Sequence, residues 1–255
     1  MPASLMIINY MSIFLVGLVL GSFYNVVGLR SVKGESVIFP GSYCYSCGRK
    51  LTYLEMVPVF SYFLLKGQCK SCNVKISPLY PILEFLTGLL FAVVFVAADS
   101  LSYMYLGWLL FSLLLIITVS DLKAMMIPDK VLFVFLLIFI FYRIIIPMTP
   151  WWGPILGFCA GFLLLNFIYI ISRGNIGGGD IKLFAVIGIL TGWQQVLLIF
   201  FFAVICGTMF SLVGLASGRF RSKQAIPFGP FIFAGSVICY FFGEHFLEWY
   251  ISFLG

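Results

Sequence analysis

The stretch Leu101–Lys123 reads LSYMYLGWLLFSLLLIITVSDLK. Residues 101–120 carry no charge, and Asp121 is the first charged side chain, with Lys123 two residues on. About 20 mostly apolar residues cross a bilayer as a helix. The stretch therefore predicts a membrane helix near 102–120 that ends on a carboxylate. The rest of the chain repeats the pattern, with apolar runs near 5–28, 79–98, 130–147, 153–172, 180–192, 194–216 and 228–251. That makes about eight transmembrane helices. The sixth is short, and the break at Thr191-Gly192 also permits seven, with the sixth re-entrant.

Composition points the same way. The chain is 62% hydrophobic and 9% charged, against about 25% charged in soluble domains. No globular core could bury so much apolar surface, so lipid must be its main solvent. The expected fold class is all-α, a polytopic membrane helix bundle with a small cytosolic zinc-binding loop domain. The expected domains are a first transmembrane helix over 1–28, a cytosolic loop over 29–78 and a transmembrane bundle over 79–255. The first run has no basic region before it and no small-residue cleavage motif after it, so it reads as an uncleaved span.

Orientation follows from the basic residues, which concentrate in cytoplasmic loops. With the N-terminus outside, the inner side receives Arg30, Lys33, Arg49, Lys50, Lys66, Lys70 and Lys75, then Lys123 and Lys130, Arg173 and Lys182, and Arg219, Arg221 and Lys223. Arg143 alone falls outside. The formal charge of +6 is thereby explained by topology and by attraction to anionic membrane lipids, and no nucleic-acid partner is expected.

The loop holds two C-x-x-C knuckles, Cys44-Tyr45-Ser46-Cys47 and Cys69-Lys70-Ser71-Cys72. Four thiolates suit tetrahedral zinc, and a piece this small needs a staple. Gly48 and Asn73, directly after the knuckles, suit the tight turns that wrap a metal. A shell of four cysteines is closed, so the zinc would hold the loop together without activating water. Two disulfides or a redox dithiol are the alternatives. The reducing cytosol disfavours the first, and the lack of a βαβ pattern disfavours the second. Cys159, Cys206 and Cys239 stand alone in apolar runs and read as small hydrophobes.

Carboxylates at membrane depth are candidate functional groups. Glu35 and Glu55 lie in the loop, and Asp99, Glu244 and Glu248 fall near the outer surface. Glu84, Asp121, Asp129 and Asp180 remain. Asp121 and Asp180 each stand two residues before a lysine, so each lysine can snorkel to headgroups while its aspartate faces the bundle. Both then sit at the inner surface on different helices, as a catalytic dyad requires. Gly177-Gly178-Gly179 precedes Asp180, where glycines allow close approach of a substrate backbone and unusual dihedrals. Asp180 is expected to cap a helix start. Two neighbouring carboxylates do not both ionise readily, so one keeps a proton while the other activates water. Either aspartate alone could equally be a helix cap or a partner of its lysine. A P-loop is excluded, since no G-K-[ST] follows the glycines.

Together these motifs resemble the bifunctional prepilin peptidases, or type IV leader peptidases, in particular the competence-associated forms of Gram-positive bacteria. The resemblance spans nearly the whole chain. It rests on Gly21-Ser22-Phe23, Asn25-Val26-Val27 and Arg30, then the two knuckles, then Ile76-Ser77 and Tyr80-Pro81 before Glu84. It continues through Asp121 with Ile127-Pro128-Asp129, Gly177-Gly178-Gly179-Asp180-Ile181-Lys182-Leu183 and Pro227-Phe228-Gly229-Pro230.

The resemblance implies a membrane aspartic endopeptidase of the bacterial plasma membrane, serving type IV pili, secretion or competence. It would cut the basic leader from prepilins or pseudopilins after a glycine, at the cytoplasmic face. Asp121 and Asp180 take the catalytic positions, and the new N-terminus is then methylated from S-adenosylmethionine. Asp129 reads as a helix cap, and Glu84 as a structural carboxylate or a cofactor-site residue. The loop shows no recognised cofactor motif. Two other classes share some features: a proton-coupled transporter, which would place its carboxylates at the midplane, and a non-catalytic assembly factor using the zinc loop to bind partners.

Overall fold

The computed structural model describes residues 3–174, 177–219 and 224–254. Arg221 and Lys223, two of the residues used to assign orientation, lie outside the described residues. The helices are α1 (Ala3–Lys33), α2 (Phe60–Leu64), α3 (Leu79–Ala97), α4 (Leu101–Ala124), α5 (Asp129–Ile145), α6 (Gly153–Ile171), α7 (Gly178–Thr191), α8 (Trp193–Ala216) and α9 (Gly229–Leu254). A 3-10 turn, Tyr53–Met56, precedes α2. Among the described residues the only β pairing is two isolated bridges, Tyr43 with Lys50 and Gln68 with Lys75. The chain is the all-α membrane protein that its composition implies.

Six of these helices are long and apolar enough to cross a membrane. The 17-residue α5 and 14-residue α7 are shorter. At 1.5 Å per residue α7 spans only about 21 Å, less than the ~30 Å hydrocarbon core. Its end is set by Gly192, whose φ of 82° breaks the helix at little cost because glycine has no Cβ. Helix α8 starts at the next residue. At the other extreme, α1 runs beyond residue 28 to Lys33. The extension follows from Arg30, which is 3% exposed. Its guanidinium donates to the carbonyls of Ser36, Val37, Pro40 and Gly41 at 2.7–3.3 Å. The chain leaving α1 thus folds back over a residue still in the helix.

The chain forms two compact units, Met1–Val119 and Ser120–Gly255. In the first, α1 packs on α3 through small residues. A Cβ on Gly17 would lie 2.7 Å from Gly88 Cα, and one on Gly21 would lie 2.8 Å from Glu84 Cα. Water exclusion does not drive helices together within lipid, so close backbone approach and buried hydrogen bonds take its place. The Tyr24 hydroxyl meets Ser112 Oγ at 2.6 Å, and Trp108 Nε1 donates to the Phe91 carbonyl at 3.1 Å.

In the second unit α7 is the centre, with α5, α6 and α8 packed on it. Its residues 183–188 are all buried. Helix α6 offers Gly157 and Gly161, four apart, to this surface. A Cβ on Gly157 would run into the Gly188 carbonyl, and one on Gly161 would lie 2.5 Å from that of Phe184. Arg143 of α5, the one basic residue assigned to the outer side, donates to the Leu190 carbonyl in the last turn of α7. There it satisfies a helix end and complements its negative dipole.

Gly157→Val should therefore destabilise the detergent-solubilised protein by at least the ~1–3 kcal/mol typical of overpacking. Gly41→Ala, where a Cβ meets nothing within 4 Å, should leave the thermal midpoint unchanged. Thermal unfolding of the two variants against wild type checks the pair.

Candidate active site

Asp121 stands in the last turn of α4 and is 6% exposed. Its Oδ2 accepts the backbone N–H of Gly229 at 2.6 Å, and the Phe228 N–H also bonds the carboxylate. Gly229 opens α9, so the carboxylate sits at the positive end of that helix, next to N–H groups that have no partner within the helix. A Cβ at residue 229 would lie 2.9 Å from Asp121 Oδ2, so a larger residue there would displace the carboxylate. Residue spacing alone did not reveal this contact. The stretch Pro227-Phe228-Gly229-Pro230 entered only through the resemblance, yet it supplies the donors that hold Asp121.

Asp180 is in the first turn of α7, with Gly177 at the cap position and the Asp180 N–H donating to the Gly177 carbonyl at 3.0 Å. The expectation that Asp180 itself caps the helix is thus corrected. The helix starts two residues earlier because Gly178 and Gly179 take helical dihedrals. The unusual dihedrals expected of the glycines are also absent: Gly177 has φ −65°, and neither Gly178 nor Gly179 has positive φ. What the glycines provide is space. A Cβ at Gly177 would lie 3.0 Å from Asp180 Oδ2, and one at Gly179 would lie 2.9 Å from Ile127 Cβ. At Gly178 a Cβ would meet nothing within 4 Å, which leaves an open strip of backbone beside the carboxylate. Asp121 and Asp180 lie within electrostatic reach of each other. Both aspartates thus stand at helix ends inside one compact unit.

Asp129 is the first residue of α5, but its side chain makes no cap. Both its oxygens take the Lys182 ammonium, at 2.8 and 2.9 Å. Lys182 was expected to reach for headgroups. It pairs instead with Asp129 because α5 packs on α7 and brings the carboxylate alongside. This exposed pair adds little stability, yet with Ile127 against Gly179 it joins the turn after α4 to the start of α7.

The four cysteines of the loop converge, with all sulfurs within 4.8 Å of one another and Cys44 Sγ 3.8 Å from Cys72 Sγ. Tetrahedral zinc with bonds of about 2.3 Å requires sulfurs about 3.8 Å apart, so the cluster fits such an ion. All four are unbonded to one another, and their convergence on one point favours a single ion over two disulfides. The knuckles share one construction. The Gly48 N–H donates to the Cys44 carbonyl at 2.9 Å and the Asn73 N–H to the Cys69 carbonyl at 3.0 Å. Gly48 and Asn73 take left-handed φ of 70° and 55°, as the turn residues implied. The backbone N–H groups of Cys72 and Ser71 bring the Cys69 thiol down to about 6. Those of Cys47 and Ser46 lower Cys44. The Arg49 N–H also acts to lower Cys47, but desolvation and the neighbouring sulfurs carry it up to about 11. Two thiols are thus prepared to ionise and a third resists. A cation among them removes that conflict.

Glu84, on α3, is buried, and its Oε2 accepts the Val59 N–H at 2.7 Å. Ser22 of α1 also hydrogen-bonds it. Val59 has φ 62°, a conformation that β-branched residues rarely adopt. Glu84 therefore ties the loop to two helices. No sequence pattern signals Val59.

Residues 15–98 match the family model described as the bacterial peptidase A24 N-terminal domain, and residues 108–212 match that of the type IV leader peptidase family. The chain is 40% identical over 240 residues to the prepilin leader peptidase/N-methyltransferase of Bacillus subtilis (strain 168), covering 94% of this chain and 97% of that one. It is 28% identical to the protein of that name from Aeromonas salmonicida (strain A449), covering 94% and 93%. With that from Klebsiella pneumoniae it shares 31% identity, over 71% of this chain and 85% of the other. No solved structure matches the chain. Matching along almost its whole length, the chain belongs to the type IV leader peptidase family.

Proposed function

We propose that this multi-pass protein of the bacterial inner membrane removes the leader from prepilins or pseudopilins by aspartic catalysis, with Asp121 and Asp180 as the catalytic pair. The observation that carries this reading is the placement of two carboxylates from different helices within electrostatic reach of each other, one anchored to the start of α9 and the other beside an open glycine backbone. In a shared-proton pair, the ionised carboxylate takes a proton from water as the water attacks the scissile carbonyl. The protonated partner gives its proton to the departing amine. The Gly229 and Phe228 N–H groups fix the orientation of the Asp121 carboxylate. Gly177 and Gly179 let Asp180 and Ile127 pack close, and the open backbone at Gly178 leaves room for an extended substrate beside Asp180. The names carried by the relatives support methylation of the new N-terminal amine as the second activity.

The finer assignments belong to the same reading. The basic residues support an N-terminus outside and a catalytic pair facing the cytoplasm. There a leader stays in water while the apolar helix behind it remains in lipid. Zinc on Cys44, Cys47, Cys69 and Cys72 holds residues 29–78 in shape. S-adenosylmethionine supplies the methyl group when bound. No residue of the loop forms a glycine-rich cradle at a helix start, so no step of the methyl transfer is assigned to a side chain. Residues 79–255 would carry the peptidase.

Asp121→Asn and Asp180→Asn should each slow cleavage of a purified prepilin by about 10²–10⁴-fold while leaving thermal stability near wild type. The rate of leader removal in detergent or nanodiscs measures this. A variant that still cuts at the wild-type rate would remove its aspartate from the mechanism.

The purified wild type should carry one zinc per chain by elemental analysis, and Cys44→Ser and Cys69→Ser should each lose most of it. Stripping the metal should open residues 29–78 to limited proteolysis, while the helices stay resistant. Full retention of the metal in both variants would count against the cysteine site.

A further inference from the structure

The loop between α1 and α3 carries apolar surface that its own fold does not cover. Phe60, Phe63 and Leu64 of α2 are 61%, 71% and 82% exposed. Spaced i, i+3, i+4, they form one face of the helix. Tyr62, off that face, turns into the loop, where a Cβ at Gly67 would lie 2.9 Å from its hydroxyl. Tyr53 and Leu54, in the adjoining 3-10 turn, are also largely exposed.

Three observations say what covers this face. The first is height. Val59, the cap residue just before α2, gives its N–H to Glu84 at 2.7 Å. Glu84 lies five residues into α3, about 7.5 Å along its axis from Leu79. The start of α2 is therefore level with the second turn of a membrane helix. The second is tethering. The loop leaves α1 at Lys33 and enters α3 at Leu79, so both ends are held at one bilayer surface. The third is charge. Lys66, two residues past the end of α2, is exposed, as are Lys50 and Lys75 of the same loop. Both acidic residues of the loop are already paired, Glu55 with Arg49 at 2.6 Å and Glu35 with Lys33 at 4.0 Å.

From these we infer that α2 is an interfacial anchor, with Phe60, Phe63 and Leu64 set into the headgroup–acyl boundary of an anionic leaflet. A short apolar face in a loop that exposes lysines matches that environment, since apolar burial and attraction to anionic headgroups act together there. Glu84 is the positioning residue. It satisfies the N–H of a strained turn and so sets the level of α2 in the membrane. The anchor holds the α2 part of the loop to the bilayer, independently of what the protein cleaves.

The test is photocrosslinking of the full-length protein in nanodiscs without substrate. The photoreactive residue p-benzoylphenylalanine is placed in turn at Phe60, Phe63, Leu64 and, as a control, at Lys70 on the second cysteine knuckle. Lipid adducts read by mass spectrometry should be several-fold more abundant at the three face positions than at Lys70. They should rise further when phosphatidylglycerol replaces part of the phosphatidylcholine. In the Phe63-labelled protein, Glu84→Leu should lower the lipid adduct several-fold and Glu84→Gln, which keeps an acceptor oxygen, should not. Adducts only to polypeptide, whether this chain or a second copy, would overturn the inference. So would face positions no more reactive with lipid than Lys70. The readout is independent of peptidase activity, so it stands or falls separately from the proposed function.

Discussion

A helix end inside or beside a bilayer has no bulk water to satisfy it, and this constraint organises the second unit. Every free backbone group at that level costs several kcal/mol unless something in the protein pairs with it. The start of α9 is met by the Asp121 carboxylate through the Gly229 and Phe228 N–H groups. The end of α7 is met by Arg143 at the Leu190 carbonyl. The start of α7 is closed by the Gly177 turn, with the Asp180 carboxylate folded back toward it. Charged side chains that would be costly in lipid are thus placed where helix dipoles favour them. Each of the two aspartates belongs to a helix terminus.

Close packing sets the positions of those termini. Helix α7 is too short to cross the bilayer by itself, and α5, α6 and α8 enclose it. Glycines on α6 let the two backbones touch along Gly157–Gly188 and Gly161–Phe184. A helix held this tightly cannot slide, so the level of Asp180 is fixed by contacts more than a turn away. The first unit uses the same device at Gly17 and Gly21, and there it sets the level of Glu84.

The loop depends on a different kind of staple. Its regular structure amounts to a 3-10 turn, a five-residue helix and two isolated bridges. Such a piece buries too little apolar surface to order itself. Four converging sulfurs, the Arg30 guanidinium over four carbonyls and the Glu84 carboxylate under Val59 supply what the core cannot. Each is a charged or ionisable group satisfied by backbone of the loop.

Much was legible from the chain alone, because the signals were local or periodic. Lipid length limits set the helices, the C-x-x-C spacing set the cysteine cluster, and rare carboxylates in apolar surroundings singled out Asp121 and Asp180. Gly48 and Asn73 were readable as turn residues because left-handed backbone restricts the residue types that fit. What the sequence could not determine depended on which distant backbones touch. Lys182 turns to Asp129 instead of the headgroups only because α5 lies beside α7. The glycines before Asp180 serve space and not dihedral freedom, as neighbours at Ile127 and Asp180 reveal. The Gly229 donor and the strained Val59 turn carry no local signature. Composition and spacing determined the solvent, the helices and the chemical groups. Tertiary packing decided their partners, since a hydrogen bond between residues 108 positions apart has no periodicity to read.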